Sequence, residues 1–343
     1  MSASVRTRSF RFLLARAASA AVLASSALCL AACGSGATAD AKNAPITIAV
    51  LDDPTRHMAF WALEHGKVDL GGVQIKLVYV PTQTAQQAYQ SEQYDIVEAS
   101  PVAVALAATK GLNTRILTAG IQDLDATVVD VSAGSSIRYP QDMRGQTIAI
   151  SSPTGSSTTE LQYVLQKGYG LTSGEQSGDV KLQVTPPDAT LGLMKQGAVH
   201  AAVELNLPRY LAEHQAGDQP ILHVSKTAGE ELGAAPVQTV LVTYPSVETS
   251  RAGDLAKVVK AMQESTAYAD DHKAAVAQAV ANGNSGTAAY LTWWWSTSDL
   301  RFGSLTSNDV AGISAFWTMA HALGQLSTVP RFNSFRSSAA PSS

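Results

Sequence analysis

From Pro45 onward, short apolar and β-branched runs alternate with stretches whose apolar positions recur at helical spacing. Residues 46–51, 73–80, 96–99, 114–118 and 126–131 read as strands, with helical patterns at 58–65, 84–90 and 101–109 between them. A second series follows, with strands at 147–151, 180–185, 201–205 and 221–224 and helices at 158–167, 190–196 and 208–214. Such alternation predicts an α/β fold with parallel-rich sheets flanked by helices. After a strand at 239–244 the chain reads as nearly all helical from 250 to 325. Leu255, Val258, Val259 and Met262 form one apolar stripe, and Thr306-Ser307-Asn308-Asp309 opens a last helix presenting Val310, Ile313 and Trp317 on one face. The run Trp293-Trp294-Trp295 cannot face one core as a whole, so at most two indoles are expected to pack in a core and one exposed indole is a candidate partner contact or cleft wall.

Two Ser-, Gly- and Pro-rich breaks, at 132–140 and 229–236, divide the pattern. They predict two lobes joined by two crossings: 45–131 plus 238–330 as the first, 132–237 as the second, with the C-terminal helices returning to the first. Pro330 and the Ser/Ala-rich end predict a disordered tail over 331–343. No short-period repeat is present, which disfavours solenoids and propellers.

The first residues change the picture of where this body resides. Arg6, Arg8, Arg11 and Arg16 precede an apolar run from 17 to 32, too short for the ~20 residues of a bilayer span. It ends Leu30-Ala31-Ala32-Cys33-Gly34, which resembles the lipobox of bacterial lipoproteins, whose cysteine is acylated after cleavage. Residues 1–32 then form a signal peptide, Cys33 the lipidation site and 33–44 a flexible tether, placing the protein on the extracytoplasmic face of the cell membrane. Cleavage leaves 311 of 343 residues and removes four arginines, taking the net charge from −4 to −8. The remaining body has no free thiol, which excludes catalytic cysteine, thiolate metal sites and internal disulfides. Charged residues make up only 15% against roughly 25% in ordinary domains, and no basic concentration suits nucleic acid.

Candidate chemistry gathers at strand ends. Residues 96–99 run into Ser100-Pro101, an N-cap and first-turn proline. Residues 148–150 run into a loop containing Thr154, Gly155, Ser156 and Ser157, and Ser157-Thr158-Thr159-Glu160 has capping-box form. A helix start after a parallel strand offers free N–H groups to a small polar or anionic ligand, although any helix start also favours Ser or Thr. Two such starts on separate halves predict a shared cleft. Asp52 and Asp53, Asp123, and Glu204 with Asn206 close other strands, so a bound molecule should bring an amine or other donor-rich group. Arg56, Arg138 and Arg209 are nearby cationic candidates. The seven histidines lack metal-ligand spacing, and no G-x-S-x-G or P-loop pattern occurs, so neither a metal, a cofactor nor catalysis is expected.

Several passages together resemble the solute-binding lipoproteins of ABC importers, in the nitrate/sulfonate/taurine branch with its thiamine-precursor relatives. These are Ile46-Thr47-Ile48-Ala49-Val50 with His57-Met58-Ala59, Tyr94-Asp95-Ile96 through Ser100-Pro101, and Asp142-Met143-Arg144-Gly145-Gln146-Thr147-Ile148-Ala149-Ile150 before the Gly-Ser-Ser loop. A fourth is Met194-Lys195-Gln196-Gly197-Ala198-Val199-His200-Ala201, with His200 where the family usually has Asp. The resemblance implies a two-lobed type II periplasmic-binding-protein-like fold acting as a monomer. It would close over a small solute, an aliphatic sulfonate or taurine-like molecule or an amine-bearing heterocycle such as a thiamine-precursor pyrimidine, for delivery to an ABC permease. The expected ligand-binding residues are Asp52, Asp53, His57, Ser100, Asp123, Thr154, Gly155, Ser156, Ser157, Glu204 and Asn206. Competing expectations are an enzyme on the same scaffold and a non-transport lipoprotein sensor or adhesin.

Overall fold

The computed structural model describes residues 44–341, so the signal segment, Cys33 and most of the tether lie outside the described residues. The first half comprises β1 (Ile46–Leu51), α1 (Pro54–Glu64), β2 (Ile75–Val80), α2 (Thr82–Gln90), β3 (Ile96–Ala99), α3 (Pro101–Thr109) and β4 (Arg115–Ala119). After β5 (Ile121–Asp123) come β6 (Val128–Val131), β7 (Thr147–Ile150), α4 (Ser156–Tyr169), β8 (Ser173–Gly174), β9 (Val180–Val184) and α5 (Pro187–Lys195). The second half continues with β10 (Ala201–Glu204), α6 (Asn206–Leu211), β11 (Gln219–His223) and α7 (Val224–Leu232). The chain then returns through β12 (Val240–Thr243), α8 (Pro245–Asp271), α9 (Lys273–Ala281), α10 (Ser285–Trp294), β13 (Ser298–Leu300) and α11 (Ser307–Ala322).

Two mixed sheets result, ordered β2-β1-β3-β12-β4 and β11-β6-β10-β7-β9-β8. Parallel pairing of β1 with β2 and β3, and of β7 with β9 and β10, follows from the helical crossovers between them. Each sheet also takes one antiparallel strand from chain arriving out of the other half: β12 against β3 and β4, β6 against β10 and β11.

Val128–Val131 therefore belongs to the second sheet, which moves the first crossing back from 132–140 to the segment just before β6. The two crossings pair with each other. Asp123 N donates to Pro236 O at 2.8 Å, Gln238 N donates to Ile121 O at 2.8 Å, and β13 extends the ribbon beside β5. A three-residue strand inside an otherwise helical stretch has too short a pattern to stand out, and its pairing partner lies far away in sequence. α7, with three buried residues, also occupies part of the expected second break.

The tail departs from expectation too. Over 331–341 it is no free end: Ile116 N donates to Phe335 O at 2.6 Å and Ser337 N to Ile116 O at 3.0 Å, covering the β4 edge. Phe332 and Phe335 are buried beside Trp317, and Glu248 accepts from Ser337 Oγ and Ser338 N, each at 2.6 Å. Two aromatic anchors outweigh a Ser/Ala-rich composition, and a covered edge is a protected one. Of the tryptophan run only Trp294 is fully buried, while Trp293 and Trp295 are half-buried. The last helix opens with the anticipated capping box, Thr306 Oγ1 and Asp309 Oδ2 each accepting from the other's backbone N–H.

Candidate functional site

At the end of β1, Asp53 caps α1 by accepting from Thr55 N at 2.8 Å, with Pro54 in the first turn. Asp52 is exposed, 3.2 Å from His57 Nε2, and the His57 ring stacks on Tyr79 at 3.8 Å. Glu98 on β3 and Arg56 on α1 form a buried ion pair: Arg56 Nη2 donates to Oε1 at 2.7 Å, and Leu51 N donates to Oε2 at 3.0 Å. Burial works against the Arg56 charge, but Glu98 and Asp53 outweigh it and hold the guanidinium above its ordinary value. Arg56 is thus committed internally. Ser100 caps α3 by accepting from Ala103 N at 3.0 Å, ahead of Pro101.

The start of α4 is built differently. The helix begins at Ser156 with Gly155 as its N-cap, so the expected Ser157–Glu160 capping box does not form. Ser156 Oγ turns to the second crossing and donates to Gln238 O at 2.8 Å, while Thr158 Oγ1 donates to Ser152 O at 2.7 Å. Gln238 Nε2 donates to Asp123 Oδ2, and to Thr127 Oγ1 at 2.8 Å. Asp123 also accepts from Ala126 N at 2.5 Å and Thr127 Oγ1 at 2.8 Å. Burial pushes the Asp123 carboxyl up against these donors. Glu160, one turn along from Ser156, is fully buried and neither of its oxygens has a hydrogen-bond partner. Burial, then the facing Asp123, drives its pKa well above the carboxylate range.

A second pair of acids lies in the sheet behind. Pairing of Ala202 with Asp130 and of Glu204 with Val128 sets Asp130 and Glu204 diagonally on one face. Both are pushed up to about 8, chiefly by burial; repulsion from Glu213 adds for Asp130, and from Asp130 for Glu204. The cation acting on Asp130 is Arg209, whose Nε is committed to Glu213 at 2.5 Å and whose Nη1 donates to Asp125 O.

Among the expected residues, Asp123 and Ser156 are buried at the crossings, Ser157 is buried in the first turn of α4, and Glu204 is buried in the second sheet. Ser100, Asp53 and Gly155 serve as helix caps, while Thr154 is exposed on the loop before α4. Asn206 opens α6 in a left-handed conformation (φ 53°) and accepts from Trp294 Nε1 at 3.0 Å, a direct contact between the halves. Arg209 adds another, lying 5.3 Å over the Trp293 ring, whereas Arg138 is exposed. His57 lines a groove of about 320 Å³ with Trp61, Glu64 and His65, and Tyr210, His214 and Trp293, whose rings touch, line another of about 590 Å³. Sequence reasoning did not select Glu160 or Asp130 as site residues. A lone acid inside the apolar run Val128-Val129-Asp130-Val131 was the available signal for the latter.

Two mixed sheets, each lent one strand through a pair of hydrogen-bonded crossings, with polar helix starts at their strand ends, define the periplasmic-binding-protein fold. The chain belongs to the NMT1/THI5-like family, whose pattern it matches over residues 60–275. Among solved structures it is similar to the aliphatic sulphonate-binding protein SsuA of Escherichia coli: 13% identity, TM-score 0.67, covering 85% of this chain and 91% of that one. The alkanesulfonate-binding SsuA of Xanthomonas axonopodis pv. citri, bound to MOPS, gives 15% identity and TM-score 0.66 over 84% and 95% of the two chains. A protein from Archaeoglobus fulgidus gives 18% and 0.64 over 82% and 98%. No curated protein matches the chain in sequence.

Proposed function

We propose that this protein is the extracytoplasmic solute-binding component of an ABC importer. It captures a small polar solute between its two halves and delivers it to a membrane permease without altering it. The observation that carries this reading is the meeting of both halves around the paired crossings, Ser156 on Gln238 O and Asn206 on Trp294. Solute touching both halves favours the closed arrangement by its differential affinity for it, a population shift. The family and the sulfonate-binding neighbours support the same reading. Two solute classes are in view, an aliphatic sulfonate or taurine-like molecule and an amine-bearing heterocycle. Asp52, Asp53, His57, Ser100, Asp123, Thr154, Gly155, Ser156, Ser157, Glu204 and Asn206 are the proposed surroundings of that solute. Acylation of Cys33 would hold the protein, as a monomer, at the outer face of the membrane.

Thermal denaturation of the full chain in detergent, with alkanesulfonates, taurine, nitrate and aminopyrimidines in turn, tests the proposal. A solute at 100 times its Kd adds about 2.7 kcal/mol of stability. A solute recovered chemically changed, or no shift across the whole panel, would count against a transport receptor. Incorporation of labelled fatty acid, lost in Cys33→Ser, tests the anchor.

A further inference from the structure

We propose that the groove of about 590 Å³ is a second binding site, apart from the transported solute, and that it takes a neutral saccharide. Both halves line it. The second half contributes Tyr210 and His214, the first contributes Gln278 of α9 with Ser285, Thr292 and Trp293 of α10, and the rest of the lining is glycine and alanine. None of these residues is among the proposed surroundings of the transported solute. The volume lies within the range of small-molecule sites. Across the seam the Tyr210 and Trp293 rings stand 5.5 Å apart at 54°, so one occupant beside them touches both halves.

The chemistry of the lining decides the class of ligand. Among the described residues it holds no Asp, Glu, Lys or Arg, so a charged ligand would give up hydration for no opposite charge. Arg209, over the Trp293 ring at 5.3 Å, is tied instead to Glu213 and to Asp125 O. What remains is neutral hydrogen bonding of both kinds beside aromatic rings. His214 Nδ1 lies 3.2 Å from Tyr210 O; a carbonyl only accepts, so in the neutral ring the proton is on Nδ1 and Nε2 is left as an acceptor. Thr292 Oγ1 donates to Ala288 O at 2.9 Å, which leaves its oxygen to accept. Gln278 and Ser285 are exposed, and each donates and accepts. Trp294, Trp295 and Trp317 give their indole N–H to protein oxygens, whereas Trp293 gives its own to none among the described residues. A hydrocarbon would strip water from these groups without replacing it. A sugar ring matches them: its hydroxyls donate and accept, and its C–H faces carry the slight positive charge that the negative face of an aromatic ring attracts.

Calorimetric titration of the full chain, in a detergent without a sugar headgroup, with glucose, maltose, maltoheptaose and glucuronate tests this. Maltose should bind, about tenfold more weakly in Trp293→Ala and severalfold more weakly in Gln278→Ala. Glucuronate, whose carboxylate finds no cation here, should bind more weakly than glucose. Affinity that levels off at maltose supports a free sugar as the occupant, and affinity that rises further with maltoheptaose supports a glycan chain. Silence of all three neutral sugars, glucuronate binding as tightly as glucose, or maltose affinity unchanged in both variants would overturn the site. Displacement of maltose by a transported solute would overturn it as a second site. The receptor reading stands or falls with its own solute panel, not with these sugars. If Trp293→Ala fails to fold, Gln278→Ala and His214→Ala, both at exposed positions, decide the question.

Discussion

Glu98 and Glu204 are both buried glutamates at the ends of sheet strands, β3 in the first half and β10 in the second. Glu98 receives two nitrogens of Arg56 and the Leu51 amide. Glu204 instead faces Asp130, and each is pushed up to about 8. The helix starts differ in the same sense: Ser100 caps α3, whereas α4 has only Gly155, with Glu160 unpartnered behind it. Unpartnered hydroxyls occur in both halves (Tyr79, Tyr290 and Ser298 in the first, Thr159 and Ser173 in the second), but the unpartnered buried carboxyls, Asp130 and Glu160, lie in the second. Open polar groups are costly in a fold but useful in a receptor, where a ligand or water can complete them.

The comparison can be broken most forcefully at Arg56. Arg56→Met leaves Glu98 buried without its cation and should cost about 3–5 kcal/mol in urea denaturation, most of it regained in Arg56→Met/Glu98→Leu. A cost below about 1 kcal/mol would dissolve the contrast between the halves.

Next in size is the response to pH. Asp130 and Glu204 hold their protons more tightly folded than unfolded, so their contribution is fully present below about pH 4 and is lost as pH rises towards 8. Stability measured by denaturant between pH 5 and 8 should fall by up to about 1.4 kcal/mol per pH unit for each proton held. Asp130→Asn should flatten that slope, and an unaltered slope would locate the titration elsewhere.

Smaller effects sharpen the comparison at the helix starts. Ser100→Ala should lower stability by about 1 kcal/mol through loss of the α3 cap. Gly155→Ser should raise it by a few tenths. A Cβ there meets only Ser152 at 3.5 Å, and the backbone is already in an extended cap conformation. Melting temperatures of the two variants check both signs.

Much of this architecture was legible in the chain. The strands at 46–51 and 96–99 and the helix at 101–109 stand where the periodicity put them, because each has its own apolar pattern and local stop signals. Ser100 was recognisable as a cap because capping is a local interaction between a hydroxyl and an amide three residues on. The Ser157–Glu160 pattern looked equally local, yet α4 starts two residues earlier and Glu160 turns inward to Asp123. Capping boxes compete with whatever the fold brings alongside, and here a crossing 82 residues away in sequence claimed Ser156.

The sequence by itself determined the α/β alternation and the polar helix starts after strands, since these depend on contacts within a few residues. Tertiary structure alone decided that β6 belongs to the second sheet, that the tail straps β4, and which carboxyls meet a cation. Strand pairing and charge compensation are set by partners far apart along the chain. No local pattern records which distant side chain will arrive, and in a low-dielectric interior that arrival decides whether an acid is ionised or keeps its proton.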